Sequence, residues 1–125
     1  MNEQIILLDT NIIIYALKGD SKVFDFINKK KLAISFVSEI ELLGWRNLTT
    51  ADKTLIADFI KQCLYIDYSI HLKEACILVR NQYNLKLADA FIAATSIQFD
   101  IPLVSADNIF AKAKELNFIH LSPSS

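Results

Sequence analysis

The chain has 125 residues, enough for one domain with a sizeable core and too few for two. Its 13 Lys and Arg against 14 Asp and Glu give a net charge of −1, which excludes a surface that is basic throughout but allows a local basic lip. Gly and Pro together number 4, against roughly 15 at average usage, so long elements with short loops are expected and a turn-rich β-sandwich is excluded.

An apolar share of 53% and a mean hydropathy of +0.32 exclude disorder and point to apolar surface covered by a partner or a second copy. No apolar run approaches the roughly 18 residues of a membrane span. Met1-Asn2-Glu3-Gln4 has neither the positive segment nor the cleavage site of a signal peptide. Cys63 and Cys76 are too few and too far apart for a disulfide framework or a CxxC site. Free thiols in a reducing compartment, the cytoplasm, are the expectation.

In chain order, Ile5 to Leu8 is a continuous apolar run, the mark of a strand buried on both faces. Asp9-Thr10-Asn11 supplies caps for a helix over Ile12 to Leu17, which Gly19 ends. A second helix starts at Asp20 or Ser21 and closes on Lys29-Lys30-Lys31, where cations suit the helix dipole. Leu32 to Ser35 reads as a strand and Ser38 to Gly44 as a helix. Another helix begins at Thr49 or Thr50, with Leu55, Ile56, Phe59 and Ile60 at helical spacing.

Leu64 to Ile66 is the third strand, and Ser69 caps a helix reaching Tyr83. Lys86 to Phe99 reads as a helix rich in small residues, and Pro102 to Val104 as the fourth strand. A helix over Asn108 to Leu116 and a fifth strand over Phe118 to Leu121 complete a single domain spanning 1–121, with 122–125 expected to fray. Strands alternating with helices predict a three-layer α/β/α domain around a central, mostly parallel five-stranded sheet.

In such a sheet all strand C-termini share one edge, and ligands bind there where the strand order reverses. Asp9 follows the first strand directly and Asp107 follows the fourth, so neighbouring strands would turn both acids into one crevice. Glu41 lies on the helix after the second strand, one turn beyond Ser38. Asp89 sits inside Leu-Ala-Asp-Ala-Phe-Ile-Ala-Ala, a setting too apolar for a solvated charge. Its only nearby basic candidates are Lys86 and Arg80.

Four segments carry a resemblance. Leu8-Asp9-Thr10-Asn11-Ile12, Ser35 through Gly44, Leu87-Ala88-Asp89-Ala90-Phe91-Ile92-Ala93-Ala94 and Leu103-Val104-Ser105-Ala106-Asp107 resemble the PIN-domain family, in particular its small VapC-like toxin ribonucleases. The match in order and spacing runs from about residue 5 to residue 121. It implies that Asp9, Glu41, Asp89 and Asp107 are the catalytic acids that hold Mg²⁺ or Mn²⁺, with Thr10, Asn11 and Ser105 in support. Glu41 is preferred to Glu39 because the Glu-Leu pair of the family falls on Glu41-Leu42. Ser38 and Ser105 stand where many relatives have Thr, which keeps the hydroxyl.

The chemistry of such a cluster agrees. Like charges at ~4 Å repel by about 4 kcal/mol at an effective dielectric near 20, so either pKa values rise or a divalent cation resolves the repulsion. All-oxygen ligands suit Mg²⁺ or Mn²⁺, which activates a water and offsets leaving-group charge without a Ser, Cys or His nucleophile. The resemblance implies RNA as substrate, 5′-phosphate products, an antitoxin partner whose segment covers the crevice, and a homodimer. Arg46, Lys86 and Arg80 are the expected RNA contacts, and Trp45 suits either base stacking or a dimer contact. Lys29-Lys30-Lys31 precedes the second strand and belongs at the opposite edge. The competing reading is a PIN fold that binds RNA or protein without cutting.

Overall fold

A computed structural model describes residues 4–124 of the chain. Five parallel strands, β1 (Ile5–Leu8), β2 (Lys31–Ser35), β3 (Leu64–Ile66), β4 (Leu103–Ser105) and β5 (Phe118–His120), form one sheet in the order β3-β2-β1-β4-β5. Every pair is parallel, so the expected mostly parallel sheet is wholly parallel. The order reverses at β1, which pairs with β2 on one side and β4 on the other.

Side chains alternate across this sheet, as strand geometry requires. Leu7, Ala33 and Leu103 point into one core layer beneath α5 (Ile70–Tyr83) and α6 (Leu87–Phe99). Ile6, Leu8, Ile34 and Val104 point into the other, beneath α1 (Thr10–Leu17), α2 (Ser21–Ile27) and α4 (Thr50–Lys61). The strands therefore read as unbroken apolar runs because both faces are buried. Among the described residues no helix is long and apolar enough to cross a membrane.

Helix starts follow their caps. The Asp9 side chain accepts from Thr10 N, Asp20 from Val23 N and Ser69 from Leu72 N, while Thr49 and Asp52 form a reciprocal capping box. The helix expected from Ser38 begins earlier: α3 (Phe36–Leu43) is capped by Ser35, whose hydroxyl accepts from Val37 N. Gly44 closes it in a right-handed conformation, where an added Cβ would lie 2.6 Å from the Ile40 carbonyl oxygen. That glycine answers a close approach rather than a left-handed backbone.

The helix expected over Asn108–Leu116 is replaced by a short 3₁₀ helix, Asn108–Lys112. Phe110, Ala113 and Leu116 are the buried residues here, spaced by three. Only Phe110 lies within the 3₁₀ helix; Ala113 caps it and Leu116 follows in the turn that leads to β5. The last residues carry no regular structure up to Ser124, yet the Ser124 N–H donates to Asp20 Oδ2 at 2.8 Å. Ser125 lies outside the described residues.

Candidate active site

Asp9 directly follows β1 and caps α1, so two elements together place it at the C-terminal edge of the sheet. Its backbone N–H donates to Val104 O at 2.9 Å, which ties the ends of β1 and β4 together. The carboxylate is buried, 6% exposed, and both oxygens are held: Thr10 N donates to Oδ1 at 2.8 Å and Ser105 Oγ to Oδ2 at 2.7 Å. Ser105 is fully buried and its oxygen also accepts from Asp107 N at 2.9 Å. One hydroxyl thus fixes Asp9 and shapes the backbone that presents Asp107.

Asn11 completes this corner, accepting at Oδ1 from Ala106 N at 3.3 Å and reaching Ser105 Oγ with Nδ2 at 3.4 Å. Asp107 itself accepts from Ile109 N at 2.9 Å and caps the 3₁₀ helix. On the other side, Thr10 Oγ1 donates to Glu41 Oε1 at 2.5 Å and shares a 2.8 Å hydrogen bond with the buried Ser38 hydroxyl. Glu39 is turned away and accepts from Tyr65 Oη at 2.6 Å, beyond β2 at the sheet's edge. Glu41, not Glu39, therefore reaches the residues around Asp9.

The electrostatics tie the four acids into one cluster. Burial raises the Asp9 carboxyl from its ordinary 3.8 to about 6; the Ser105 and Thr10 hydrogen bonds oppose this, and the charges of Asp89 and Glu41 add to it. Burial also raises Asp89, the charges of Asp107 and Glu41 push it further, and Lys86 pulls it back. Asp89 lies in the first turn of α6, above the buried stripe of Ala90, Ala93 and Ala94 that lets this helix approach the sheet.

Not every expected residue gathers here. Lys86, at the α5–α6 turn, is near enough to Asp89 to lower its proton affinity, and Arg80 donates to Leu85 O in the same turn, whereas Arg46 lies past α3 in a groove of about 400 Å³. Trp45, 60% exposed, lines that groove together with Ile14, Leu17, Leu42 and Leu55. The residues missed from the sequence are His120, whose Nε2 lies 3.0 Å from the Ala106 carbonyl, and Lys112. The parallel pairing of Ser105 with His120 is a long-range fact that no local pattern signals.

A cation in this crevice would meet oxygen donors only, which suits a hard divalent ion. Among the described residues no three His, Cys, Asp or Glu side chains are gathered tightly enough to cage a metal ion. The residues fit an ion that keeps most of its waters and takes one or two carboxylates, as Mg²⁺ does. They do not fit zinc, since Cys63, Cys76, His71 and His120 form no cluster.

Solved structures share this fold. The chain is similar to a chain of VapBC2 from Rickettsia felis, in a crystal structure with a DNA fragment from their promoter, with TM-score 0.82, 21% identity, and 94% of this chain and 98% of that chain covered. A toxin-antitoxin complex from Klebsiella pneumoniae matches with TM-score 0.78, 24% identity, and 89% and 94% covered. VapBC-1 from nontypeable Haemophilus influenzae matches with TM-score 0.77, 20% identity, and 94% and 98% covered. No curated protein matches the sequence. The family model described as PIN domain matches residues 6–116, a range that holds all four acids. The chain belongs to the PIN domain family.

Proposed function

We propose that this protein is a divalent-metal-dependent ribonuclease that hydrolyses RNA phosphodiester bonds and serves as the toxin of a toxin–antitoxin pair in the cytoplasm. The observation that carries the reading is the convergence of Asp9, Glu41, Asp89 and Asp107 on one crevice, where Thr10 links Asp9 to Glu41, Ser105 links Asp9 to the Asp107 backbone, and the charges of Asp107 and Glu41 add to the raised proton affinity of Asp89. A cation bound among these acids would relieve both the burial of their charge and their mutual repulsion.

In this reading Asp9, Glu41, Asp89 and Asp107 would hold Mg²⁺ or Mn²⁺, one or two of them directly and the others through the waters it keeps, and the ion when bound would supply an activated water and offset charge on the leaving oxygen. Ser105 and Thr10 N keep the Asp9 oxygens in one orientation, so little reorganisation accompanies each turnover. Thr10, itself hydrogen-bonded to Ser38, does the same for one oxygen of Glu41. Asn11 holds the Ser105–Asp107 backbone in place.

The toxin assignment is supported by the shared fold with complexes described as toxin–antitoxin systems. An antitoxin that covers the crevice and a homodimer both suit the exposed Trp45, Leu55, Ile77 and Leu78. The competing reading, a module that binds RNA or protein without cutting, has in its favour that no ready-made carboxylate cage exists among the described residues.

The deciding experiment incubates a cellular RNA pool with wild type or Asp89→Asn in Mn²⁺, Mg²⁺ or EDTA and sequences the product ends. Cleavage that needs both metal and Asp89 and leaves 5′-phosphates is expected. Binding without cleavage under every condition would establish the non-catalytic module.

A further inference from the structure

A polyanion binds a chain of net charge −1 only where cations are concentrated locally. Three cations from three elements meet at one turn, Asn84-Leu85-Lys86, which joins α5 to α6 and leads directly into the first turn of α6 that carries Asp89. Asn84 adopts the left-handed conformation, φ 53° and ψ 47°, and reverses the chain, while Leu85 is 3% exposed and anchors the turn in the core. Arg80, one turn back on α5, donates from Nε to Leu85 O at 3.2 Å. Lys112, at the end of the 3₁₀ helix that follows Asp107, donates from Nζ to Asn84 O at 3.4 Å. Two consecutive carbonyls therefore draw two cations to the turn, and Lys86, its third residue, is near enough to Asp89 to lower that carboxyl's proton affinity.

The carbonyls use one donor of each side chain. Arg carries five and Lys three, so most of the donors of Arg80 and Lys112 remain for another acceptor, and Arg80, Lys86 and Lys112 are all exposed. The turn flanks the crevice on its Asp89–Asp107 side; the opposite side is built from Thr10, Ser38 and Glu41, which bring no cation. Arg46 lines the apolar groove, and Lys31 pairs with Ile5 at the far edge of the sheet.

The geometry points to the α5–α6 turn as a phosphate-binding lip: Arg80, Lys86 and Lys112 hold backbone phosphates of a single-stranded RNA on the Asp89–Asp107 side of the bond to be cut. The lip reads charge and not sequence, because it offers only cationic donors to phosphate oxygens. It rests on the ribonuclease reading, whose substrate it positions.

The test is fluorescence anisotropy with a labelled, unstructured 20-nucleotide RNA in EDTA, across a series of NaCl concentrations. Lys86→Gln with Lys112→Gln should weaken binding about tenfold at low salt and flatten the slope of log affinity against log salt by about 1.4, roughly 0.7 for each phosphate of a single strand that is no longer neutralised. Lys29→Gln with Lys31→Gln changes net charge equally and should leave the slope as in wild type. Matching thermal melts of the two double variants establish that both remain folded. An unchanged slope in the first variant, an equal change in the second, or no RNA binding by wild type overturns the lip. Cleavage in Mn²⁺ separates the two readings: RNA bound through the lip but never cut defeats only the ribonuclease, and undiminished kcat/KM in Lys86→Gln with Lys112→Gln defeats only the lip.

Discussion

The two edges of the sheet carry like charges in opposite circumstances. At the N-terminal edge Lys29, Lys30 and Lys31 follow one another, and each finds its own relief: Lys30 Nζ donates to Phe26 O at 2.6 Å and sits 4.3 Å from the Phe26 ring centroid, while Lys29 and Lys31 face solvent. At the C-terminal edge four acids distant in sequence converge, Asp9 is buried, and burial together with the neighbouring acid charges raises the proton affinity of Asp9 and Asp89. A run of charge in the sequence is thus a solvated surface, and charges scattered through the sequence form the strained cluster. Burial and convergence, not local density, distinguish a site from a surface.

The sharpest way to break this comparison is at Asp89. Asp89→Asn changes one charge and almost no shape, and metal-dependent RNA cleavage should fall at least about a hundredfold, as for loss of a group acting on the reacting phosphate. Retained activity, measured as kcat/KM on a defined RNA, would remove Asp89 from the chemistry.

Stability provides the next largest effect. A carboxyl raised from 3.8 to about 6 in the fold binds its proton more tightly when folded than when unfolded. Its stabilising contribution is complete below about pH 4 and is lost as pH rises through 6. Asp9→Asn escapes that loss, so in EDTA the variant should be more stable than wild type by about 3 kcal/mol at pH 7.5, from a shift worth about 1.36 kcal/mol per pH unit, with the gap closing below pH 4. Urea melts at both pH values measure it. A variant less stable than wild type at pH 7.5 would mean that the hydrogen bonds from Ser105 and Thr10 outweigh the burial of charge.

A finer contrast lies on α3. Glu41→Gln should reduce cleavage at least about tenfold, whereas Glu39→Gln, which affects only the exposed bond to Tyr65, should leave cleavage intact and cost less than about 1 kcal/mol. Equal losses in both would deny that Glu41 alone belongs to the cluster. The smallest effect belongs to the lysine edge: Lys29→Gln with Lys31→Gln should move stability by no more than about 0.5 kcal/mol and leave cleavage unchanged.

Much of the site was legible because its parts sit at element boundaries. Asp9 is both the last residue before α1 and its cap, and Asp107 caps the 3₁₀ helix after β4, so residue type, position and strand end coincide. Asp89 betrayed itself as a charge among alanines. Lys112 gave no such signal, since a lysine in an amphipathic segment reads as ordinary surface, and its partner Asn84 lies 28 residues away. The 3₁₀ helix was hidden for a different reason: Phe110, Ala113 and Leu116 also satisfy a loose helical pattern, and the difference between periods of 3 and 3.6 shows only over more turns than this segment has.

The sequence by itself determined the element order, most of the caps and the double-sided burial of the strands, because each of these depends on residues within a turn or two of one another. The tertiary structure alone decided that β1 lies between β2 and β4, that Glu41 and not Glu39 meets Thr10, and that Arg80, Lys86 and Lys112 share one turn while Arg46 lies in another groove. These contacts join residues far apart in the chain. They follow from how whole layers pack, a sum over many weak interactions that no local stretch of sequence contains.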